Sequence, residues 1–219
     1  MKQSIKLLVL VVINISTEAI AQPLFSADWF SHHINNWDKY KLFFEGKSNL
    51  RCLEIGSYEG RSTLYIAENY CKYEDSVIYA LDTWSGSMEH DAQHEKNLFE
   101  RFSFNLKDLV NKGRVIPVRE KSQKTLVDFL NLVYQNDFEK FDFIYIDGSH
   151  VAKDVMSDIV LAWELLKPGG ILIADDYLWD HYKEPRLTPK PALDGFLESY
   201  KGSYEILLKG YQVHLKKIN

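Results

Sequence analysis

Two short acidic clusters follow apolar runs in the second half of the chain: Asp147-Gly148-Ser149-His150 after Phe141 to Ile146, and Asp175-Asp176-Tyr177 after Gly170 to Ala174. If these runs are neighbouring strands, about 4.8 Å apart, the carboxylates at their ends converge on one point. Asp147, Asp175 and Asp176 would then repel one another unless a cation or a proton intervened. All-oxygen ligands suit a hard ion such as Mg²⁺, which keeps waters and shares its other positions with a substrate. The alternative use of the same acids is helix capping and hydrogen bonding to neighbours. Consecutive strand residues point to opposite faces, so Asp175 and Asp176 reach one ion only where the strand bends or ends. His150 lies close to whatever Asp147 binds. Its imidazole, with an ordinary pKa of about 6.5, can take a proton from a hydroxyl that a metal has acidified. A partly exposed histidine at a helix start is the alternative reading.

A second constellation lies earlier. Glu54-Ile55-Gly56-Ser57-Tyr58-Glu59-Gly60 closes the apolar run Leu50 to Ile55 and leads into a helical stretch at Arg61. Gly56 permits a tight turn and close approach of a ligand, and Gly60 lets the helix start pack on the strand. The spacing is E-x-G-x-x-x-G and not the G-x-G-x-x-G of nicotinamide dinucleotide sites. A purely structural turn would use the same glycines. The next run, Val77 to Leu81, ends in Asp82, an acid placed to accept two hydrogen bonds from a ribose diol or to cap a helix. Trp84 can stack its indole on an adenine there or pack in the core. Ser122 is placed to cap the following helix, with an adenine contact as its other use. His90 and His94 are four apart among Glu89, Asp91 and Glu95, a spacing that a solvated polar face explains better than a metal pair. Cys52 and Cys71 fall in core strand and core helix and are expected as buried thiols.

These residues need a scaffold that gathers strand ends. Five apolar runs, Leu50 to Ile55, Val77 to Leu81, Arg114 to Val118, Phe141 to Ile146 and Gly170 to Ala174, alternate with helical stripes. The stripes are Phe99, Phe102, Leu106 and Leu109; then Leu126, Phe129, Leu130 and Val133; then Val151, Val155, Ile159, Ala162 and Leu166. That alternation predicts an α/β fold with a doubly wound, mostly parallel sheet, with helices on both faces. Its ligand belongs beyond the carboxyl ends of the strands. Lys167-Pro168-Gly169-Gly170 is expected to stop the third helix and deliver the fifth strand. Tyr204 to Leu208 and Gln212 to Lys216, joined through Gly210, predict an antiparallel hairpin, which makes seven strands. Phe30, Ile34, Trp37 and Phe44 predict an N-terminal helix with Ser26 as its cap.

At 219 residues the chain suits one large α/β domain. With 46% hydrophobic and 26% charged residues, neither wholesale disorder nor a multi-span membrane protein is expected. The formal net charge of −5 argues against a nucleic-acid partner and for a small acceptor. Homo-oligomerisation stays open. Residues 1–21 have the grammar of a secretory leader: Lys2 and Lys6, an apolar run from Leu7 to Ile15, and Ala19-Ile20-Ala21 as a cleavage site. The run is short for a stable membrane span, and Asn14 and Glu18 weaken an anchor. An amphipathic leader packed on the domain is the alternative, and either way residues 22–219 form the domain.

From Ser26 to Ile218 these residues together resemble the class I S-adenosylmethionine-dependent methyltransferases. The likeness rests on Glu54-Ile-Gly-Ser-Tyr-Glu-Gly60 as cofactor loop, Asp82 as ribose acid, and the terminal hairpin. Asp147-Gly-Ser-His150, Lys167-Pro-Gly-Gly170 and Asp175-Asp176 look like the metal-dependent small-molecule O-methyltransferases, the macrolide-sugar enzymes above all. The resemblance implies that Glu54, Gly56, Ser57, Gly60, Asp82, Trp84 and Ser122 surround the cofactor. It further implies that Asp147, Asp175 and Asp176 hold Mg²⁺ while His150 deprotonates a small-molecule or sugar hydroxyl. The loop from Leu178 to Pro191, with Trp179, His181 and Tyr182, would close over the acceptor. The chain lacks the Asn/Asp-Pro-Pro-aromatic motif of many nucleobase methyltransferases, and Lys121 stands where related enzymes often carry an acid near adenine. A metal-independent methyltransferase and a non-catalytic binding protein of the same fold are the rival readings. Cofactor supply places the protein in the cytoplasm, whereas the leader-like segment places it outside.

Overall fold

The computed structural model describes residues 22–86 and 97–219; the leader-like segment 1–21 and the His90/His94 pair lie outside the described residues. The apolar runs form β1 (Arg51–Ile55), β2 (Val77–Asp82), β3 (Val115–Arg119), β4 (Phe141–Ile146), β5 (Leu166–Ala174), β6 (Tyr204–Lys209) and β7 (Val213–Lys217). They make one sheet in the order β3-β2-β1-β4-β5-β7-β6. The first five strands are parallel, and β7 runs antiparallel to both β5 and β6. β1 pairs with β2 on one side and β4 on the other, so the chain order reverses there. In such sheets a crevice opens beyond the carboxyl ends at that point.

Helices cover both faces, as the near-continuous apolar strands require. The N-terminal turns include α1 (Ile34–Trp37) and α2 (Lys41–Phe44); α3 (Arg61–Asn69), α4 (Leu98–Asn105), α5 (Lys107–Asn111), α6 (Ser122–Tyr134), α7 (Ala152–Leu165) and α8 (Lys190–Ser199) follow. One core cluster centres on Trp37 and gathers Ile66, Phe102 and Phe143. The other centres on Trp163 and gathers Leu53, Ile144 and Phe196. The buried Lys217 ammonium donates to the carbonyls of Trp163 and Leu166, satisfying the end of α7.

Three local expectations are corrected. The N-terminal helix is broken into short turns from Ser31 to Phe44, and Asp28, not Ser26, accepts from the amides of Phe30 and Ser31 at its start. Ser26 is drawn away to the buried carboxylate of Glu59. Lys167-Pro168-Gly169-Gly170 lies within β5 as a bulge, because Leu166 already pairs with Phe141 before the register shifts. Cys52 and Cys71 are not thiols but a disulfide, with Cα atoms 6.7 Å apart. The reason is geometric: β1 and the loop advance the chain by about 13 Å, and α3 returns it by a similar distance, bringing Cys71 level with Cys52. The bridge spans 19 residues of separation, and a Cys52→Ala/Cys71→Ala variant should lose about 2–4 kcal/mol of stability in urea unfolding. An unchanged midpoint would contradict that.

Candidate active site

At the end of β1, Gly56 adopts φ +85°, and its amide donates to the Leu81 carbonyl at 2.8 Å. A Cβ built on Gly56 would lie 1.8 Å from the Asp147 carbonyl oxygen. The loop therefore touches the end of β4 backbone to backbone, which only glycine allows. Gly60, also left-handed, starts α3. Glu54 is fully buried: Thr63 donates its hydroxyl to Oε2, and the hydroxyls of Ser62 and Ser57 also favour its carboxylate. Neither Oε1 nor the Ser57 hydroxyl reaches full hydrogen-bond geometry, so the pair can turn to the polar end of a ligand lying on the loop.

Asp82 is drawn into the same loop. Its Oδ2 accepts from the amides of Ser57 and Tyr58 at 3.0 and 2.9 Å, and Oδ1 accepts from the amide of Trp84 at 2.7 Å. A carboxylate offers about four lone-pair sites, so one remains, and a two-bond contact to a ribose diol requires a loop amide to let go. Trp84 departs from the adenine-stacking expectation. Its indole is buried against Phe99 and Phe102, and its ring N–H donates to the Tyr58 carbonyl. Ser122 does not cap α6 with its side chain; its hydroxyl donates to Asp158 at 2.7 Å and ties α6 to α7.

Beyond β4 and β5, Asp147, His150 and Asp176 each offer one atom within 4.8 Å of the others. His150 Nε2 lies 2.8 Å from Asp176 Oδ2. Asp175, expected among the metal ligands, is not in this group. The chain leaves the sheet after Asp175, whose amide still donates to the Ile146 carbonyl, and turns through Asp176 at φ +59°. The two neighbouring carboxylates thereby part, Asp176 toward His150 and Asp175 toward Tyr145 and Gln212. Burial and the charges of Asp175 and Asp176 push the Asp147 carboxyl well above the carboxylate range. Burial also raises Asp176, but the hydrogen bond and charge of His150 outweigh it and hold that carboxyl low.

Sequence reasoning missed four side chains that meet these acids. Tyr145 bridges, its hydroxyl 3.0 Å from Asp147 and also bonded to Asp175. Gln212 donates to Asp175 at 2.7 Å. His33 Nε2 stands 3.7 Å from Asp175, and Tyr211, stacked on the His33 ring, hydrogen-bonds Asp176. Tyr145 was accessible in principle, since it lies two residues before Asp147 and so shares its face of the strand. The others come from the N-terminal turns and the hairpin, far away in sequence. The loop after β5 sets Trp179 on His150, ring centres 4.2 Å apart, with His181 and Tyr182 packed beside the indole.

A family profile described as a methyltransferase domain matches residues 53–177, more than half of the chain. The chain belongs to the methyltransferase-domain family. No curated protein sequence matches this methyltransferase. Among solved structures it is similar to the O-methyltransferase from Bacillus cereus in complex with S-adenosylhomocysteine (SAH), at 18% identity and TM-score 0.58 over 84% of this chain and 81% of that one. It is also similar to the MycE methyltransferase of the mycinamycin biosynthetic pathway in complex with Mg and SAH, at 17% identity and TM-score 0.57, covering 88% of this chain but 51% of that one. A third likeness, at 15% identity and TM-score 0.59 over 84% and 94% of the two chains, is to a Clostridium thermocellum protein provisionally assigned as an rRNA methylase. At these identities the likenesses establish the fold. The protein is a methyltransferase by family, and its fold is that of the class I methyltransferases.

The methyltransferase holds two carboxyls, Glu54 and Asp158, out of water. Burial pushes both Glu54 and Asp158 up to about 7. Unfolded, an aspartate ionises near pH 4, so between about pH 4 and 7 the folded chain binds more protons at Asp158 and its contribution to stability falls as pH rises. His33 and His214, lowered by burial to about 4 and about 3, act in the opposite sense. The informative quantity is therefore a difference. Asp158→Asn keeps an acceptor for Ser122 and should match the wild type near pH 4, then gain on it by about 1–3 kcal/mol as the pH passes 7. Urea unfolding across that range reads the gain, and a pH-independent difference would contradict it.

Proposed function

We propose that this methyltransferase moves the methyl group of S-adenosylmethionine to a hydroxyl of a small molecule or sugar, with His150 as base and a divalent cation assisting. The observation that carries this reading is the convergence of Asp147, His150 and Asp176 next to the loop on which Gly56 touches Asp147. The cofactor supplies a methyl on a sulfonium centre, whose positive charge makes the thioether a good leaving group. A divalent cation, where bound, lowers the pKa of a nearby hydroxyl. Glu54 and Ser57 receive polar groups of the cofactor, and the tight loop fixes its position against the acceptor.

His150 takes the hydroxyl proton at a ring nitrogen, and Asp176, 2.8 Å away, orients the ring and stabilises the imidazolium that results. Asp147 and Asp176 would hold the cation through carboxylate oxygens. Carboxylates and water suit Mn²⁺ as well as Mg²⁺. The aromatic wall of Trp179 and Tyr182 supports a ring-shaped acceptor, sugar or phenol. The net charge of −5 supports a small acceptor over nucleic acid. The ion pair of His150 with Asp176 favours one second reading, a metal-independent enzyme in which these two residues alone move the proton.

The test is transfer of labelled methyl to a panel of sugars, polyols, phenols and RNA, run with chelator and then with Mg²⁺ or Mn²⁺ restored. Transfer to a hydroxyl that chelation stops supports the full reading, and transfer that survives chelation selects the metal-independent one. Transfer to RNA alone overturns both. The Cys52–Cys71 disulfide favours an oxidising compartment, which supports reading residues 1–21 as a secretory leader. Mature protein from the native host with residues 1–21 still attached would count against it.

A further inference from the structure

We propose that Asp175 is a positioning residue and not a metal ligand, and that Gln212 and Tyr145 brace it so that the next residue, Asp176, is presented to His150. The inference rests on the cation site described above. Among the described residues three donors meet the Asp175 carboxylate. Oδ2 accepts from the Tyr145 hydroxyl and from Gln212 Nε2, and Oδ1 accepts from the amide of Asp176 at 2.8 Å. The last of these bonds closes the turn in which Asp176 takes φ +59°, a conformation that costs an aspartate energy and persists only when its surroundings hold it.

Behind Asp175 the donors form one ordered line. Trp37 Nε1 can only donate, so the Gln212 atom 2.9 Å from it is the amide oxygen. The Gln212 nitrogen therefore faces Asp175. His214 Nε2 lies 2.9 Å from the same amide oxygen and must carry its proton, which leaves Nδ1 to accept from the Tyr40 hydroxyl at 2.9 Å. Tyr40, His214 and Gln212 thus hand hydrogen bonds in a single direction toward the Asp175 carboxylate. Each of the three is buried, and such a line is strengthened by the low dielectric around it. It joins the N-terminal turns, the C-terminal hairpin and β5 at the residue beside Asp176. Partners that orient a metal-binding residue commonly change metal affinity or activity by about 10- to 100-fold when altered.

The test is calorimetric titration of the full chain with Mn²⁺ alone, for wild type, Gln212→Glu, Tyr145→Phe and Asp176→Asn. Gln212→Glu keeps the side chain's shape and the acceptor for Trp37 and His214 but sets an oxygen against Asp175. The expected result is binding by wild type, loss in Asp176→Asn, and affinity about 10- to 100-fold weaker in Gln212→Glu with SAH affinity unchanged. Tyr145→Phe removes one hydroxyl without adding charge, should weaken Mn²⁺ in the same direction, and carries the test if Gln212→Glu does not fold. Wild-type Mn²⁺ affinity in the folded brace variants overturns the proposal. If the wild type itself binds no Mn²⁺, the cation reading fails separately, and a crystal structure of the folded brace variant decides. Asp176 displaced from His150 then sustains the brace, and an unchanged 2.8 Å contact overturns it.

Discussion

Gly56→Ala should abolish measurable SAH binding and destabilise the fold, whereas Gly169→Ala should do neither to the same degree. Both glycines are left-handed, at φ +85° and +79°. Each substitution therefore carries a backbone cost of about 1–2 kcal/mol. The difference is what a new methyl meets. At Gly169 nothing lies within 4 Å, but at Gly56 the methyl falls 1.8 Å from the Asp147 oxygen, 2.4 Å from its carbonyl carbon and 2.8 Å from Gly148 Cα. All three are backbone atoms, so no rotamer change relieves the clash. The loop must separate from β4, straining the Gly56–Leu81 and Asp147–Ile55 hydrogen bonds and adding about 1–3 kcal/mol of overpacking. Separation also displaces the Ser57 and Tyr58 amides from Asp82, which disorganises the cofactor side of the crevice. Urea unfolding with SAH titration of both variants measures this, and a Gly56→Ala protein that behaves like Gly169→Ala would contradict it.

His150→Ala should lower turnover by about 10²- to 10⁴-fold, the usual worth of a positioned base, while SAH affinity stays at the wild-type value. The separation is expected because the proposed function sets His150, against Asp176 and Trp179, on the acceptor side and Glu54, Ser57 and Asp82 on the cofactor side. Asp176→Asn should fall in the same direction, since an amide cannot balance the imidazolium charge. The check is a rate of methyl transfer to the first acceptor identified, with SAH calorimetry on the same preparations. Unchanged turnover in His150→Ala would remove that residue from the chemistry.

The strands were legible because buried parallel strands read as short apolar runs, and the terminal hairpin announced itself at Gly210. The glycine loop was legible for a related reason: Gly56 and Gly60 stand where the backbone needs left-handed conformations. Asp147, His150 and Asp176 could be nominated because they follow strand ends. Which of Asp175 and Asp176 joins His150 could not, since a two-residue period says only that they diverge. The choice is made by a turn that Tyr145, 30 residues away, and Gln212, 37 away, hold from outside. Trp84 was ambiguous for the same reason; the partners that bury it, Phe99 and Phe102, lie on a helix whose docking local sequence does not specify. The disulfide escaped notice because two cysteines in buried elements look alike reduced or joined until α3 is folded back along β1.

The most direct measurement is calorimetric titration of residues 22–219 with SAH, run with Mg²⁺ and again with chelator. The account predicts one site per chain of micromolar affinity in both conditions, because the residues it proposes for the cofactor, Glu54, Gly56, Ser57 and Asp82, do not include the acids that face His150. Absence of binding in both conditions, by protein shown to be folded, would contradict the account at its centre.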